Sequence, residues 1–261
     1  MHHETNMIHQ TAIVDPGAEI DADVDIGPYS IIGKDVSIGS GTRIGAHAVI
    51  TGKTSIGANN HIFHHVSLGE QPQDKKYADE PTTLEIGDGS VIREFCTFNT
   101  GTVQDKGKTV VGNRNWVMAY VHIAHDCVIG NHVVFSNNAC VAGHVHVGDW
   151  TTFAGFALSH QFVHIGPHCF IAAAGFCYHD VPAFVTASGN PAEPRTINRE
   201  GMKRRGFNPD EIALANKAYK LLFRRGLNID DAIKAISELG DNRVVAMVLG
   251  SVENSTRGII R

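Results

Sequence analysis

Residues 8–68 read IHQTAIVDPGAEIDADVDIGPYSIIGKDVSIGSGTRIGAHAVITGKTSIGANNHIFHHVSL, and every sixth residue, from Ile8 to Leu68, is a branched aliphatic. All eleven positions of the series obey this spacing, although hydrophobic residues make up only 43% of the chain. A period of six fits neither an amphipathic helix nor a strand with alternating faces. It is typical of a parallel β-helix built from hexapeptide repeats.

Three such hexads would form one triangular coil of 18 residues, with coils stacked about 4.7–4.9 Å apart. The aliphatic residue is expected to point into the prism. The residue two positions earlier is usually small or β-branched, as at Val24 and Thr42, and is expected to share the interior. Glycine often follows the aliphatic, as at Gly27 and Gly45, where we expect it to provide bend angles that a Cβ would forbid.

Two polar stretches interrupt the ladder, at residues 70–83 and 101–109. After the first stretch the ladder resumes at Ile86, 18 residues beyond Leu68, so the stretch is predicted to be a loop thrown out from one coil. After the second, the ladder restarts one residue out of phase at Val111 and continues to Ile171. Because loops on a rigid scaffold often carry binding groups, the first loop is a candidate for function.

The chain changes character after the ladder. The repeat ladder is expected to end at Asp180-Val-Pro. The sequence predicts a β-helix domain over residues 1–190 and a helical C-terminal domain over 191–261. Residues 183–207 are expected to be irregular. A helix then begins with Asn208 as N-cap and Pro209 at its first position, and two more are expected within 230–239 and 241–253.

Composition narrows the functional classes. The net charge of −5 gives no overall attraction to nucleic acid or to an anionic membrane. No apolar run reaches transmembrane length, and residues 1–6 do not resemble a signal peptide, so no membrane insertion is expected. The five cysteines are predicted to be reduced and mostly buried, because three of them occupy the small inward position of the repeat.

Histidines cluster along one predicted edge of the prism. Residues 18 apart lie above one another, so His125 falls below residue 143 and residue 143 below Gln161. This edge, or seam, carries His122, His125, Asp126, Gly143, His144, His160 and Gln161. His146 and His164 are also 18 apart and predict a second histidine ladder without an assigned role.

Two kinds of chemistry remain open for the seam. His122, His125 and His144 could bind zinc, although no helix holds the first two on one face. Alternatively, His125 beside Asp126 has what a general base needs, namely a pKa near neutrality and a carboxylate that fixes the tautomer. The segment 195–205, with five basic residues and one acid, suits a phosphorylated small molecule or an acidic carrier protein.

Several segments together resemble the UDP-N-acetylglucosamine O-acyltransferases, cytoplasmic enzymes that open lipid A synthesis. The segments are EQPQDKKYADEPT at 70–82, IAHDCVIGN at 123–131, AGHVHVGD at 142–149, HQF at 160–162, NREGMKRRGF at 198–207 and STRGIIR at 255–261. The resemblance implies a left-handed parallel β-helix with a helical C-terminal domain, assembled as a homotrimer with active sites between subunits. It also implies transfer of a 3-hydroxyacyl group from acyl carrier protein to the 3-hydroxyl of UDP-N-acetylglucosamine.

The resemblance further assigns roles to matching residues. His125 would be the general base, Asp126 would orient it, and the Gly143 N–H would stabilise the oxyanion. The sugar nucleotide or pantetheine would be held by Asp74, Lys76, His122, His144, His160, Gln161, Asn198, Glu200, Arg204 and Arg205. The acyl-chain ruler would comprise Ala173, Phe170 and Pro191, and alanine at 173 predicts medium-length chains. No metal, cofactor or covalent intermediate is implied, since the acyl donor is the phosphopantetheine thioester of the carrier.

Some positions depart from the family pattern, and other functions stay open. Asn99-Thr100, Thr196 and Pro191 differ from the residues common in the family. These differences bear on how the acyl tail is bound and on the local structure of the loops. A γ-class carbonic anhydrase would use three histidines for zinc on a similar trimeric scaffold. A purely structural repeat protein would need no histidine seam, and the related N-acyltransferase of the pathway carries a separate N-terminal domain.

Overall fold

The computed structural model describes residues 8–255 and 257–261, so the segment 1–6 and Thr256 of the terminal motif lie outside the described residues. The strands are β1 (Ile13–Val14), β2 (Glu19–Ile20), β3 (Asp25–Ile26), β4 (Ile31–Ile32), β5 (Val36–Ile38), β6 (Arg43–Ile44), β7 (Val49–Ile50), β8 (Lys53–Ile56), β9 (His61–Ile62), β10 (Ser67–Glu70), β11 (Thr83–Ile86), β12 (Val91–Ile92), β13 (Thr97–Asn99), β14 (Lys108–Val111), β15 (Trp116–Val117), β16 (His122–Ile123), β17 (Val128–Ile129), β18 (Val134–Phe135), β19 (Cys140–Val141), β20 (His146–Val147), β21 (Thr152–Phe153), β22 (Leu158–Ser159), β23 (His164–Ile165), β24 (Phe170–Ile171), β25 (Phe176–Cys177), β26 (Val185–Ser188) and β27 (Glu193–Ile197).

These short strands form three sheets that make the faces of a prism. From β1 to β25, every third strand belongs to the same sheet: sheet 1 begins with β1 and β4, sheet 2 with β2 and β5, and sheet 3 with β3 and β6. Pairing is parallel in 18-residue register, as between Ile13 and Ile31. The predicted coil of three hexads is therefore confirmed, and the fold is a left-handed parallel β-helix.

The predicted ladder fills the interior of the prism. Its residues from Ile26 to Leu68 are buried, and so are the small residues of the neighbouring slots, such as Val24 and Thr42. In the coils after the second external loop, aromatic residues also fill the interior, and the rings of Phe135 and Phe153 are centred 5.0 Å apart. The cysteines are free and four of the five are buried, as predicted. Burial raises the pKa of the Cys96 thiol to about 12.

The predicted reason is wrong for Gly27 and Gly45, although Gly69, which follows Leu68, does have a positive φ. Neither Gly27 nor Gly45 has a positive φ; the left-handed backbone falls instead on the residue three positions after the aliphatic, such as Tyr29 and His47. A Cβ on Gly27 would lie 2.8 Å from the backbone N of Ala46 in the next coil. These glycines are therefore needed because successive coils approach each other too closely for a side chain.

The turns between sheets stack into three corners, named here by the sheets that they join. The 1–2 corner carries residues 124–127, 142–145 and 160–163, and both external loops leave the prism there. The first loop lies between β10 and β11 and the second between β13 and β14, close to the predicted bounds. The 2–3 corner carries Trp150 and His168, and the 3–1 corner carries Tyr120 and Phe156.

Residues 183–207 are more ordered than predicted. β26 pairs with β24 in parallel and with β27 in antiparallel fashion, so a hairpin extends sheet 3 beyond Asp180-Val-Pro. Helix α1 (Arg199–Arg204) follows and was not predicted. The other helices agree with prediction: α2 (Pro209–Phe223), with a capping box between Asn208 and Glu211, then α3 (Ile229–Ser237) and α4 (Arg243–Glu253).

The searched residues contain no helix with the length and apolar character needed to cross a membrane.

His168 joins the helical segment to the prism. Its ring stacks on Phe184 at 5.3 Å between centroids and meets the edge of Phe207 at 5.0 Å, and its carbonyl oxygen accepts a hydrogen bond from Asn198. Burial, with a smaller repulsion from Arg205, lowers the pKa of His168 to about 4. A neutral imidazole is therefore built into this contact.

This burial predicts loss of stability in acid. Between the folded pKa and the ordinary value of 6.5, the unfolded chain binds more protons than the folded chain, so stability falls as the pH falls. Wild type should lose about 2 kcal/mol through this group between about pH 7 and pH 5, and His168→Phe should not. Urea unfolding of both proteins at the two pH values checks this; equal losses would contradict it.

Candidate active site

His125 and Asp126 lie at the 1–2 corner, where the left-handed backbone of Asp126 turns the chain from sheet 1 to sheet 2. Nδ1 of His125 is 2.9 Å from Oδ2 of Asp126. Because an ionised carboxylate only accepts hydrogen bonds, Nδ1 carries the proton and Nε2 presents a lone pair. The imidazole is thus held in the tautomer that a general base requires.

The carboxylate of Asp126 is almost completely buried. Burial alone would raise its pKa, but hydrogen bonds from His125 and from both the hydroxyl and the backbone N–H of Thr102 outweigh it, and the pKa is lowered. Asp126 therefore remains ionised at neutral pH. Thr102 belongs to the second external loop, so that loop is part of the support of His125.

Gly143 lies directly against His125 in the next coil. A Cβ at this position would lie 2.6 Å from Cε1 and 2.7 Å from Nε2 of His125, so only glycine leaves room for the ring. Within the described chain, the Gly143 N–H donates to no protein acceptor. A free N–H beside a basic nitrogen is the arrangement needed to stabilise a developing oxyanion.

His144 completes the wall beside His125. Their ring centroids are 5.0 Å apart and the rings meet edge to face. Nδ1 of His144 is 2.8 Å from a carboxylate oxygen of Asp105, on the second external loop, and Phe162 stacks on its other side at 4.2 Å. The predicted spacing of roughly 5–10 Å between seam imidazoles is confirmed for this pair.

A cavity of about 850 Å³ opens in front of these side chains. The first external loop supplies one wall and the seam supplies the other. The lining includes Asp74, Lys76, His125, His144 and Gln161 from the predicted site, together with Gln73, Lys75, Gln104, Asp105, His146, Phe162 and His164. Its charges are mixed, with lysines and imidazoles facing Asp74 and Asp105.

His122 and His160 belong to the seam but do not line this cavity. His122 faces outward from sheet 1, where its Nδ1 lies 2.8 Å from the hydroxyl of Thr97. Burial lowers its pKa, which keeps the imidazole neutral at neutral pH. His160 lies near Tyr178, with ring centroids 6.0 Å apart.

The C-terminal group of predicted site residues lies at the 2–3 corner. Asn198 binds His168 there and caps α1. Glu200 pairs with Lys203 at 2.9 Å. The Arg205 guanidinium lies 5.5 Å from the centre of the Trp150 ring, and burial lowers its pKa. None of Asn198, Glu200, Arg204 and Arg205 lines the cavity of His125.

The predicted ruler residues are dispersed within one chain. Phe170 lies in β24 on sheet 3, and Ala173 follows in the exposed turn of the 3–1 corner. Pro191 follows a cis peptide bond after Asn190 and lines a different cavity, beside Tyr178 and the C-terminal residues. Among the described residues, the cavity that Pro191 lines includes neither Phe170 nor Ala173.

Sequence reasoning missed three residues whose side chains contact Asp126 or His144: Thr102, Asp105 and Phe162. The phase shift of the ladder marked the second loop, but no periodic signal within that loop indicated which side chains return to the corner. Phe162 carried a usable signal, because it lies 18 residues after His144.

His125, Asp126 and His144 also have the spacing of a metal site, with potential ligand atoms within 4.8 Å of one another. Two of the three predicted zinc ligands, His125 and His144, therefore lie close enough to share an ion, but the third member of this group is Asp126 and not His122. However, Nδ1 of His125 and Nδ1 of His144 are each already paired with a carboxylate. The arrangement suits proton transfer, with an imidazole, an orienting carboxylate and a nearby N–H.

The fold and this site define a hexapeptide-repeat transferase. The family model for bacterial transferase hexapeptide repeats matches residues 17–52 and 108–143. The model described as UDP-N-acetylglucosamine O-acyltransferase, domain 2, matches residues 180–260.

Full-length comparisons give the particular family. An acyl-[acyl-carrier-protein]–UDP-N-acetylglucosamine O-acyltransferase of Thiobacillus denitrificans is 58% identical, over 97% of this chain and 99% of that protein. The solved structure of LpxA from Acinetobacter baumannii has a TM-score of 0.95 and 48% identity, over 97% and 99% of the two chains. The UDP-N-acetylglucosamine O-acyltransferase of Moraxella catarrhalis also has a TM-score of 0.95, at 45% identity and the same coverage. This chain belongs to the UDP-N-acetylglucosamine O-acyltransferase family.

The packing of His125 against Gly143 gives a testable prediction. Gly143→Ala should displace the His125 ring and cost about 1–3 kcal/mol of folding stability, because a Cβ has no room there. Gly155→Ala is the matched control, since its Cβ would meet no atom closer than 3.5 Å. Chemical unfolding and a crystal structure of each variant check the prediction. An undisplaced His125 in Gly143→Ala would show it to be wrong.

Proposed function

We propose that this protein transfers a 3-hydroxyacyl group from the phosphopantetheine thioester of acyl carrier protein to the 3-hydroxyl of UDP-N-acetylglucosamine. This reaction would be the first step of lipid A biosynthesis and would take place in the cytoplasm. The observation that carries the proposal is the hydrogen-bonded unit of His125 with the buried Asp126 and Thr102, beside Gly143, in a chain of this family. The proposed chemistry uses no metal and no cofactor.

His125 is the general base in this proposal. Its Nε2 removes the proton from the sugar 3-hydroxyl as that oxygen attacks the thioester carbonyl carbon. When the tetrahedral intermediate collapses, the C–S bond breaks and the pantetheine sulfur receives the proton from His125. Asp126 remains ionised throughout and stabilises the imidazolium, which agrees with its lowered pKa.

The Gly143 N–H stabilises the negative charge on the carbonyl oxygen. One such donor contributes about 10²–10³-fold to the rate in enzymes where it has been removed. The same glycine makes room for the His125 ring, so base and oxyanion donor face one reacting carbon. A hydroxyl nucleophile from the substrate makes a covalent enzyme intermediate unnecessary.

Substrate binding is assigned to two groups of residues. The cavity group comprises Asp74, Lys76, His144 and Gln161, with His122 and His160 nearby on the seam, and is proposed to hold the sugar and the pantetheine arm. The second group, Asn198, Glu200, Arg204 and Arg205, carries the cationic charge that a diphosphate requires. In one chain these two groups occupy different corners of the prism.

This separation supports the proposal that the protein is a homotrimer with active sites between subunits. If the 2–3 corner of one subunit docked beside the 1–2 corner of another, both groups would meet at one substrate. An exposed aromatic column along the 3–1 corner, with rings of Tyr29, His47, His65, Phe95 and Tyr120 centred 4.9–5.3 Å apart, also supports assembly. Exposed apolar surface of this kind commonly marks an interface.

The acyl tail is proposed to end near Ala173, with Phe170 and Pro191 limiting its length. Because an alanine fills one methyl more than a glycine, the preferred tail would be of medium length. One methylene changes discrimination by only about 1–3 kcal/mol, so the preference would be graded.

His125→Ala tests the mechanism. The variant should remain folded, because His125 is partly exposed at a corner, and should lose about 10²–10⁴-fold in kcat with UDP-N-acetylglucosamine and a 3-hydroxyacyl carrier. Steady-state kinetics with circular dichroism as the folding control check this. Turnover within a few-fold of wild type would rule out His125 as the base.

Subunit mixing tests the shared site. His125→Ala and Arg204→Ala trimers should each have low activity, for lack of a base and of a phosphate ligand respectively. In mixed trimers, about one third of the sites should be restored, because a ring with two subunits of one kind and one of the other has one adjacent pair that brings both intact residues together. Co-expression with distinguishable tags, followed by purification of mixed trimers, checks this. No recovery in verified mixed trimers would contradict the intersubunit site.

A further inference from the structure

Thr102 holds the carboxylate on which His125 depends. Within the described chain, three hydrogen-bond donors reach the Asp126 carboxylate, and two of them belong to Thr102. The Thr102 N–H donates to Oδ1 at 2.9 Å, and the Thr102 hydroxyl donates to Oδ2 at 2.7 Å. Nδ1 of His125 donates to the same Oδ2 at 2.9 Å. The hydroxyl of Thr102 and the ring of His125 therefore share one oxygen.

The second external loop fixes Thr102 in turn. Thr102 is buried, and its carbonyl oxygen accepts hydrogen bonds from the N–H groups of Asp105 at 3.2 Å and Gly107 at 3.0 Å, which close the loop on itself. At the other end of the loop, the hydroxyl oxygen of the buried Thr109 accepts a hydrogen bond from the Asp126 N–H at 2.8 Å. The start of the loop thus holds the Asp126 carboxylate, and the end of the loop holds its backbone.

Thr102 is not among the residues that line the cavity in front of His125. An effect of Thr102 on the chemistry therefore passes through Asp126. The torsion that orients a carboxylate has only a broad preference of its own, so the neighbouring donors set its angle. With one Thr102 donor on each oxygen, the plane of the Asp126 carboxylate is fixed, and so is the direction in which it holds the His125 ring.

The shared oxygen also links the hydroxyl to proton uptake. A donor on an ionised oxygen stabilises its negative charge. Without the hydroxyl, Oδ2 would direct more of that charge at the His125 N–H, so the His125–Asp126 pair would take up a proton at higher pH. A substitution of Thr102 leaves the other titratable groups around the pair unchanged; they are His122, His144, Asp105 and Cys127, with Asp74, Lys75 and Lys76 across the cavity.

We propose that Thr102 is a positioning residue: its hydroxyl and N–H fix the Asp126 carboxylate, and Asp126 in turn fixes the ring of His125. The inference rests on the proposed function, in which His125 is the general base. Thr102 contributes to the orientation and the proton affinity of that base. It makes no contribution to substrate binding.

Thr102→Val tests the hydroxyl, because valine keeps the branched shape of the side chain and the backbone N–H. In the full-length protein, kcat should fall at least about tenfold, as expected for loss of a hydrogen bond to a charged group, with KM for both substrates unchanged. The acid limb of the pH profile of kcat/KM should move to higher pH by about one unit. Thr102→Ser keeps the hydroxyl and should restore both the rate and the acid limb.

Thr82→Val is the matched control. It removes another buried threonine hydroxyl at the 1–2 corner, the one that lies 3.1 Å from the hydroxyl oxygen of Thr100. This hydroxyl does not contact Asp126, so the control should keep the wild-type kcat and the wild-type acid limb.

An NMR titration separates this inference from the proposed function. In protein labelled with ¹³C-histidine, the Cε1–H resonance of His125 is assigned by its absence from His125→Gln. Its titration midpoint should lie at higher pH in Thr102→Val than in the wild type and in Thr102→Ser. The titration needs no substrate, so a wild type without turnover would overturn the acyl transfer and leave the positioning role to the NMR result.

The positioning role would be overturned by an unchanged NMR midpoint in folded Thr102→Val, or by a kinetic change confined to KM. It would also be overturned by a serine variant as impaired as the valine variant, or by an equal shift of the acid limb in Thr82→Val. Circular dichroism identifies folded variants. Thr102→Ala, which also lacks the hydroxyl, replaces Thr102→Val if the valine variant does not fold.

Discussion

The 18-residue register between coils is the constraint on which the rest of the structure depends. Parallel strands pair in this register throughout most of the prism, so each side chain lies above the residue 18 positions earlier. Only glycine fits where the backbones come closest, as at Gly27. Insertions are accommodated outside the prism: Ser67 pairs with Thr97 across the first loop, 30 residues away, without breaking the sheet.

The same register builds the chemical site. Stacking turns the 1–2 corner into columns of side chains, in which His125 lies against Gly143 and His144 lies beneath Phe162. Both external loops leave at this corner, so their polar groups return to the columns: Thr102 reaches Asp126, and Asp105 reaches His144. A rigid prism thus fixes the base, while the second external loop supplies the hydrogen bonds that hold Asp126 and His144.

Local periodicity accounts for what could be predicted. The ladder from Ile8 predicts the coil length and the interior positions, and the 18-residue spacing predicts that His125 meets Gly143 and that His146 meets His164, as observed. The start of α2 was predictable because Asn208 and Pro209 act within one helical turn. Helix α1 was missed because its six residues lie in a segment rich in Pro, Gly and Arg.

The sequence by itself determined the prism, the stacking of the histidines and the presence of two loops, because these depend on a repeat that each coil obeys. The tertiary structure decided that Thr102 holds Asp126 and that the group around Asn198 and Arg205 lies at another corner than His125. Only the tertiary structure shows why glycine is required at positions such as Gly27, because the atoms that a Cβ would meet there belong to the next coil. Such contacts depend on loop paths and close backbone approaches, which no periodic pattern in the sequence encodes.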